Sequence, residues 1–561
     1  MGQCHGCQQS CCPDSEELRI IPSGRTGSAL ALQGMGLRSL VHCTGLMAGL
    51  MASQGEGSLA TSRLFNRVDG FSTSGGTSLF FASLAYSERF VKLLEDLASK
   101  PEESAATFKN SWIKPWASRG HKANPLAKVF SRIARFASSA SAEDILLWSF
   151  FWKEGQTWQR CVEGFFEATA GMPAHLPLCG EPCEWARERL WIANATLLAP
   201  RYKEKGVLLW RNPQNDGNKV TYYIEGTDLD RQVPSHIPAR LAVVLGSETS
   251  HTAAVPLISG RGLQDEATMV FVGVRQGPSP LRGGKSTSQR VTHRSDPIRG
   301  FPKTEEHLGR CPLSGIVAAS AASCGGLLLE PLSAELKLPS ALQLGPIIGD
   351  SAKPEAFTLA SKMAAQVQGT EDTLPRDLEH LANIQARCLV DGSFTDSTGI
   401  CNAVSAGARE VTAILCSDQL TSCPTALLRL FSGNTGNGDL SEKLLFPIFA
   451  YPSSDQVEAD FQDFETIQAP PEGLKLKYLD GVKVGSIYLA RTLDNVWFDI
   501  RQDRIVKLNV VCISSKLSVR NLEDMELFGD LLKELVHLIA LPESSELVQS
   551  TLLPMMMGST S

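Results

Sequence analysis

The stretch "RVDGFSTSGGTSLFFASLAYSERF", from Arg67 to Phe90, passes from a short apolar run through a turn into a long helical pattern. Ser74, Gly75 and Gly76 lie in the turn. A sharp strand-to-helix turn raises a serine hydroxyl above a sheet, and small neighbours let a substrate carbonyl approach it. The helix N-terminus adds positive potential where negative charge develops. The alternative is a serine that only caps the helix, so this stretch alone leaves both interpretations open.

The stretch "SALALQGMGLRSL" predicts a strand, a glycine turn and a helix that begins near Gly36. In such a turn, the backbone N–H groups of Gly34, Met35 and Gly36 point away from the helix N-terminus. These donors can bind a phosphate or an oxyanion. A purely structural turn explains the same residues, so the pattern is not decisive by itself.

The stretch "CLVDGSFTDSTGI" contains a third candidate, Asp391, directly after an apolar strand and before Gly392. Its carboxylate is expected to emerge at the edge of the sheet, where open α/β sheets place reactive groups. An aspartate in an ordinary turn beside glycine is the alternative interpretation.

Composition excludes several classes of protein. The chain has 561 residues, of which 43% are hydrophobic and 20% charged, as in a globular protein. A net charge of -7 argues against nucleic acid as the main partner, since phosphate binding needs clustered Lys and Arg. No apolar run reaches the roughly 18 residues that a membrane-spanning helix requires. Without an apolar signal segment, we expect a cytoplasmic protein with reduced thiols.

The N-terminus "MGQCHGCQQSCC" resembles an acylation site, with myristoylation at Gly2 and palmitoylation at Cys4 or a nearby cysteine. Gly6 stands where Ser or Thr is usual. One myristoyl chain binds a membrane only marginally, so stable attachment to a membrane surface needs the second lipid. A metal cluster of these cysteines with His5 and an inert tail are the alternatives.

The chain is predicted to form one large α/β domain over 28–555, because strands and helices alternate through both glycine-rich stretches. We expect a flexible tail over 1–27 and a flexible C-terminus over 556–561. The region 101–190 is predicted to be helical and aromatic, as buried core or as an apolar cap. The segment 277–310 carries seven Lys or Arg against three Asp or Glu and is predicted to be a flexible basic insertion.

Taken in chain order, these motifs resemble those of the patatin-like and cytosolic phospholipase A(2) lipid acyl hydrolases. "GMGLRS" looks like the family's glycine-rich loop, and "STSGGTSLF" resembles its Ser-Gly-Gly nucleophile turn. "VDGSFTDSTGI" looks like its Asp-Gly block, and "VAASAAS" resembles its small-residue segment. The family implies a patatin-like central sheet flanked by helices.

The resemblance implies a Ser/Asp dyad in which Ser74 attacks an acyl carbonyl and Asp391 takes its proton. Gly34, Met35 and Gly36 would stabilise the oxyanion, and Arg38 would face a phosphate or another anionic headgroup. Gly75 and Gly76 would lie against the substrate. Neither a cofactor nor a metal is implied, and the substrate would be a phospholipid or another acyl lipid.

Three features depart from the family pattern. Met35 occupies the middle of the glycine triplet, Ser78 stands where many relatives have a bulky aromatic residue, and Ser72 offers a second register for the nucleophile. We favour Ser74 because a glycine pair must directly follow the reacting serine. A lysophospholipase, a galactolipase, an acyl-transferase and a silent lipid-binding protein remain alternatives on the same fold.

A Ser-His-Asp triad fits less well. After Asp391 the only histidine is His537, within a helical pattern, and His42 also falls in a predicted helix. Both are expected to have structural roles.

Overall fold

The computed structural model describes residues 27–119, 158–174, 176, 180–198, 201–202, 207–208, 236–246, 251–255, 272–275, 313–321, 347–348, 387–433, 445–469, 475–495, 498, 500–517, 519 and 522–558.

The strands are numbered in chain order. They are β1 Ser28–Leu32, β2 Gly70–Thr73, β3 Leu190–Leu198, β4 Arg201–Tyr202, β5 Val207–Leu208, β6 His236–Val244, β7 His251–Val255, β8 Val272–Arg275, β9 Ile347–Ile348, β10 Arg387–Asp391, β11 Glu410–Ser417, β12 Phe449–Tyr451, β13 Glu465–Ile467, β14 Leu479–Thr492 and β15 Ile505–Ser515.

The α-helices are numbered in the same way. They are α1 Gly36–Gln54, α2 Gly76–Tyr86, α3 Glu88–Ser99, α4 Ser104–Phe108, α5 Lys114–Ala117, α6 Trp158–Phe165, α7 Leu313–Ser320, α8 Ser393–Asp396, α9 Ile400–Ser405, α10 Thr425–Leu428, α11 Ser454–Gln462, α12 Leu527–Ala540, α13 Ser545–Leu547 and α14 Leu553–Met557.

One large sheet organises the molecule, in the order β12-β14-β15-β11-β1-β2-β3-β6-β7-β8. The centre of this sheet, from β15 through β11, β1 and β2 to β3, is parallel. Antiparallel strands extend it on both sides, with β14 beyond β15 and β6 beyond β3. The carboxyl ends of β1 and β2 therefore lie side by side, which brings the turns that follow them together.

Helices cover both faces of the sheet, as the alternating pattern predicted. Leu30 and Leu32 of β1 contribute to a core shared with α1, α2, α3 and α12. Ala29 and Ala31 of the same strand contribute to a second core, shared with α9, α10 and α11. The alternation places successive side chains on opposite faces, so a strand that is apolar throughout is buried on both sides. The fold is thus a mixed α/β structure whose central, mostly parallel sheet is flanked by helices.

The strand that leads to Asp391 reaches the site from an unexpected direction. β10 pairs antiparallel with β3, with Asp391 opposite Ala195. β2 pairs parallel with the first part of β3, with Thr73 opposite Ala193. Since β6 occupies the other edge of β3 along its whole length, β2 and β10 lie on the same edge and run toward each other. They meet beside Asn194. Asp391 thus lies at the end of an apolar strand, as expected, and this strand is antiparallel to β3.

One helix boundary differs from the sequence pattern. The long helical pattern that starts at Gly76 is divided at Ser87, whose extended backbone ends α2 and whose Oγ accepts a hydrogen bond from Phe90 N–H at the start of α3. At the C-terminal end of the described chain, the carbonyl of Met557 in α14 accepts a hydrogen bond from Arg67 N–H.

In the described part of the predicted cap region, the side chains of Phe108, Trp112, Trp116 and Phe165 are buried. Trp112 stacks on Phe108 with centroids 5.1 Å apart, and Phe165 packs edge-on against Trp112 and Trp116. These rings belong to the core that α1 and α12 share, which fits the core interpretation of this region. The tail, the basic insertion 277–310, residues 120–157 and the predicted strand at 219–226 lie outside the described residues. None of the helices in the described ranges is long and apolar enough to cross a bilayer.

Candidate active site

The turn after β2 has the predicted strand–serine–helix form. Ser74 is followed by Gly75, whose φ of 57° lies in the left-handed region, and then by the first residue of α2. Thr77 fixes this turn, because its Oγ1 accepts a hydrogen bond from Ser74 N–H at 3.1 Å and lies 2.9 Å from Leu32 O at the end of β1. A single hydroxyl thus joins the ends of two neighbouring strands around Ser74.

The glycines of this turn permit close backbone contact. A Cβ on Gly76 would lie 1.8 Å from Gly36 O at the start of α1. A Cβ on Gly34 would lie 2.5 Å from Ser393 Oγ and 2.7 Å from Ser74 O. Because real Cβ atoms never approach backbone oxygen so closely, a side chain at either position would force the two helix N-termini apart.

Asp391 is brought to Ser74 by the meeting of β2 and β10. Its carboxylate would lie 3.2 Å from a Cβ on Gly75, and Asp391 itself is only 5% exposed. Burial raises the pKa of the Asp391 carboxyl to about 6, against the opposing effect of hydrogen bonds from Ser393. Such a carboxylate is a stronger base than an exposed one.

Ser393 lies between the two predicted catalytic residues. Its Oγ is 2.7 Å from Asp391 Oδ1 and 3.4 Å from Ser74 Oγ. Its N–H also donates to Asp391 Oδ1 at 2.7 Å. Among the described residues no hydrogen bond joins Ser74 and Asp391 directly, so Ser393 is the link between them.

Ser320, at the end of α7, ties the serine turn to the aspartate turn. Its carbonyl accepts hydrogen bonds from Gly75 N–H at 3.0 Å and from Gly392 N–H at 3.3 Å. Its hydroxyl lies 2.6 Å from Ser78 Oγ, and Ser78 Oγ lies 2.8 Å from Thr73 Oγ1. The small hydroxyl at Ser78, where an aromatic residue was expected from the family pattern, is therefore part of a buried polar network.

The three predicted oxyanion donors are not equivalent. Gly34 N–H donates to Ser397 O at 2.9 Å, and Met35 N–H donates to Ser39 Oγ at 3.2 Å. Neither Gly36 N–H nor Gly76 N–H has a hydrogen-bond acceptor within the described ranges. These two amides begin α1 and α2, where the helix dipoles add positive potential. Within the described ranges, the backbone donors left for an oxyanion beside this turn are thus those of Gly36 and Gly76. The expectation that Gly34 and Met35 donate to the oxyanion is corrected, because both of their N–H groups already have acceptors.

Arg38 also differs from its predicted role. Its guanidinium donates to Asp418 Oδ1 at 3.0 Å and to Leu517 O at 2.6 Å, and the residue is only 6% exposed. Asp418 follows β11 and Leu517 follows β15, so Arg38 holds the ends of these strands together. This corrects the expectation that Arg38 faces an anionic headgroup.

Neither His42 nor His537 forms a hydrogen bond with Ser74, Ser393 or Asp391. His42 lies in α1, with Nδ1 3.2 Å from Cys416 Sγ and Nε2 3.0 Å from Ser515 Oγ. Burial, with the charge of Arg38 adding to it, lowers the pKa of His42 to about 3, so its ring is neutral. His537 lies in α12, 3.6 Å from Glu102.

The alternative nucleophile, Ser72, is directed elsewhere. It lies within β2, and its Oγ accepts a hydrogen bond from Asn194 Nδ2 at 3.2 Å. Ser72 is fully buried, and its side-chain partner is Asn194 rather than Asp391 or Ser393. The geometry therefore favours Ser74 over Ser72 as the candidate nucleophile.

Cysteines and metal ligands form no further centre in the part of the chain that the structure describes. Seven cysteines there are buried and free, namely Cys43, Cys161, Cys183, Cys401, Cys416, Cys423 and Cys512, and no group of His, Cys, Asp and Glu among the described residues has the arrangement of a metal site. Burial raises the pKa of the Cys161 and Cys416 thiols to about 12, which keeps them protonated.

Three residues of the site were missed by sequence reasoning: Ser393, Ser320 and Asn194. Ser393 had a local signal, since a hydroxyl two residues after an aspartate commonly bonds to its carboxylate. Ser320 acts through its carbonyl, and Asn194 marks the place where two strands meet. Neither feature leaves a pattern in residue type or spacing.

No family model, curated protein or solved structure matches this chain.

Proposed function

We propose that the protein is a serine lipid acyl hydrolase of the phospholipase A type, with Ser74 as nucleophile and Asp391 as general base. The observation that carries the proposal is the hydrogen-bonded series from Ser74 through Ser393 to Asp391, beside two helix N-termini. The fatty-acyl substrate class comes from the resemblance of the motifs to patatin-like and cytosolic phospholipase A(2) enzymes.

In this mechanism Ser74 Oγ attacks the carbonyl carbon of an acyl ester, and the Ser74 proton ends on Asp391. Gly36 N–H and Gly76 N–H donate to the oxyanion. The alcohol leaves with the proton that Asp391 returns to it. Water then attacks the acyl-enzyme while Asp391 accepts one of its protons, and that proton returns to Ser74 Oγ as the fatty acid leaves. The raised pKa of Asp391, about 6, suits this role, because the carboxylate is ionised at neutral pH and yet accepts a proton readily.

The burial of Ser74 favours a second candidate, a catalytically silent lipid-binding protein. Ser74 is fully buried, so an ester reaches its Oγ only after the surrounding structure opens. A lysophospholipase or an acyl-transferase would use the same two residues and differ in the acyl donor or acceptor.

Release of fatty acid tests these candidates. Purified protein is incubated with vesicles of phosphatidylcholine, phosphatidylglycerol and galactolipid, or with lysophosphatidylcholine, and free fatty acids are measured by mass spectrometry. We expect release by the wild type, loss of at least about 10³-fold in Ser74→Ala, and retained release in Ser72→Ala, the matched control two residues away. A folded wild type that releases nothing from any of these lipids would favour the silent protein.

The proposal includes attachment to a membrane through the N-terminal acylation predicted at Gly2 and Cys4, which lie outside the described residues. Two lipid chains are needed for stable anchoring. We expect Gly2→Ala to move the protein from the membrane fraction to the supernatant of cells.

A further inference from the structure

Ser393 occupies the position through which a proton must pass between Ser74 and Asp391. Its Oγ lies 3.4 Å from Ser74 Oγ and 2.7 Å from Asp391 Oδ1. In a simple dyad the serine would donate directly to the carboxylate, and in the described part of the chain no such bond exists. A third side chain is therefore interposed.

The direction of these hydrogen bonds follows from their lengths. The Ser393 hydroxyl has one proton and three possible acceptors within reach: Asp391 Oδ1 at 2.7 Å, Gly34 O at 3.4 Å and Ser74 Oγ at 3.4 Å. The shortest bond is the strongest one, particularly to a charged acceptor. Since Ser393 gives its proton to Asp391, its oxygen is left to accept the proton of Ser74. The series is thus oriented from the nucleophile to the base.

The surroundings hold Ser393 in this place. Its own N–H donates to Asp391 Oδ1 at 2.7 Å, so one carboxylate oxygen fixes both the backbone and the hydroxyl. Gly34 lies against the hydroxyl so closely that a Cβ there would lie 2.5 Å from Ser393 Oγ. The glycine loop therefore shapes the space that the Ser393 hydroxyl fills.

We propose that Ser393 is a catalytic residue that relays a proton from Ser74 to Asp391, an inference that rests on the proposed function. As the bond between Ser74 Oγ and the acyl carbon forms, the Ser74 proton moves to Ser393 Oγ, and the Ser393 proton moves to Asp391 Oδ1. As the ester bond to the alcohol breaks, the alcohol oxygen takes a proton from the Ser393 hydroxyl, and Asp391 returns its proton to Ser393. Water repeats the same transfers to release the fatty acid. Two protons move together in each step.

Hydrolysis of a p-nitrophenyl ester of a medium-chain fatty acid tests the relay. We expect Ser393→Ala to lower kcat by about 10²-fold with little change in KM, because a positioned proton-transfer group contributes about 10² to 10⁴. Ser393→Thr retains a hydroxyl and is expected to recover part of the loss, whereas Ser393→Cys retains the size but relays protons poorly. Thermal unfolding of each variant shows whether the fold is retained.

A proton inventory, the dependence of the rate on the deuterium fraction of the solvent, distinguishes proton transfer by Ser393 from a purely structural role. The wild-type rate in mixtures of H2O and D2O is expected to curve with the deuterium fraction, as for two protons in flight, and Ser393→Ala to give a straight line. A linear wild-type plot, or a Ser393→Ala variant with unchanged or increased kcat, would overturn the relay. If instead the wild type neither hydrolyses the ester nor reacts at Ser74, the proposed function itself fails, whatever Ser393 does.

Discussion

Two buried carboxylates lie close together in the sequence, Asp391 at the end of β10 and Asp396 at the end of α8, and burial raises the pKa of both. Their partners differ. Asp396 accepts hydrogen bonds from Thr398 Oγ1 at 2.9 Å, from Asn402 N–H at 2.9 Å and from Asn402 Nδ2 at 3.1 Å. The positive charge of Arg429 also opposes the rise in its pKa. The carboxylate of Asp391 accepts hydrogen bonds only from Ser393 among the described residues.

This difference separates a carboxylate with a structural role, Asp396, from the proposed general base, Asp391. The donors around Asp396 belong to the turn into α9, so this carboxylate organises the backbone there. At Asp391, one oxygen receives both Ser393 donors, and the other lies near the Gly75 backbone. A buried charge with few donors costs stability and gains basicity, as is common at sites selected for chemistry.

The largest expected effect is on activity at Asp391. We expect Asp391→Asn to lower kcat/KM for the p-nitrophenyl ester by about 10³-fold, because a carboxamide does not accept the proton. In the wild type, kcat/KM is expected to rise with pH with a midpoint near 6, where Asp391 becomes ionised. A profile that is flat between pH 5 and 7 would show that the base is another group.

The next effect is on stability at Asp396. We expect Asp396→Ala to lower the free energy of unfolding by about 3 to 5 kcal/mol, since it leaves the buried Asn402 and Thr398 donors without their acceptor. Urea unfolding measures this change. If the free energy of unfolding falls by less than about 1 kcal/mol, the hydrogen bonds of Asp396 do not stabilise the fold appreciably. Asp396 would then not differ from Asp391 in the way described.

We expect Asp391→Asn to raise the free energy of unfolding, which is a smaller effect than that of Asp396→Ala and opposite in sign. The folded-state pKa of Asp391, about 6, lies above the ordinary value of 3.8 for an aspartate, so the folded state holds this proton more tightly than the unfolded state does. The wild type consequently loses stability as pH rises from about 4 to 6, by at most about 3 kcal/mol. Asn avoids this cost while still accepting the Ser393 bonds.

Urea unfolding at several pH values checks this sign. Asp391→Asn should match the wild type near pH 4 and exceed it above pH 6. If the variant is less stable than the wild type at pH 7, the Asp391 carboxylate stabilises the fold through its hydrogen bonds. Asp391 would then have the same kind of structural role as Asp396.

Much of the local structure was predictable from the sequence. The turns after β1, β2 and β10 were recognisable because each joins an apolar run to glycines and a helical pattern, and those signals depend only on neighbouring residues. The preference for Ser74 over Ser72 as the candidate nucleophile could also be drawn from the sequence, since only Ser74 directly precedes the glycine pair.

The long-range features were not predictable in the same way. The meeting of β2 and β10 beside Asn194 depends on strand pairing between distant parts of the chain, which no local pattern encodes. The partner of Arg38, Asp418, is likewise distant in sequence. The break at Ser87 was missed because the helical pattern continues across it, although serine is a favoured N-cap residue.

The most direct test of the central claim is reaction of the folded protein with a fluorophosphonate probe, followed by peptide mapping. We expect a single labelled serine, Ser74. Labelling should be lost in Ser74→Ala, retained in Ser72→Ala and strongly slowed in Asp391→Asn. Labelling at Ser72, or a protein that hydrolyses acyl esters without any label on Ser74, would contradict it.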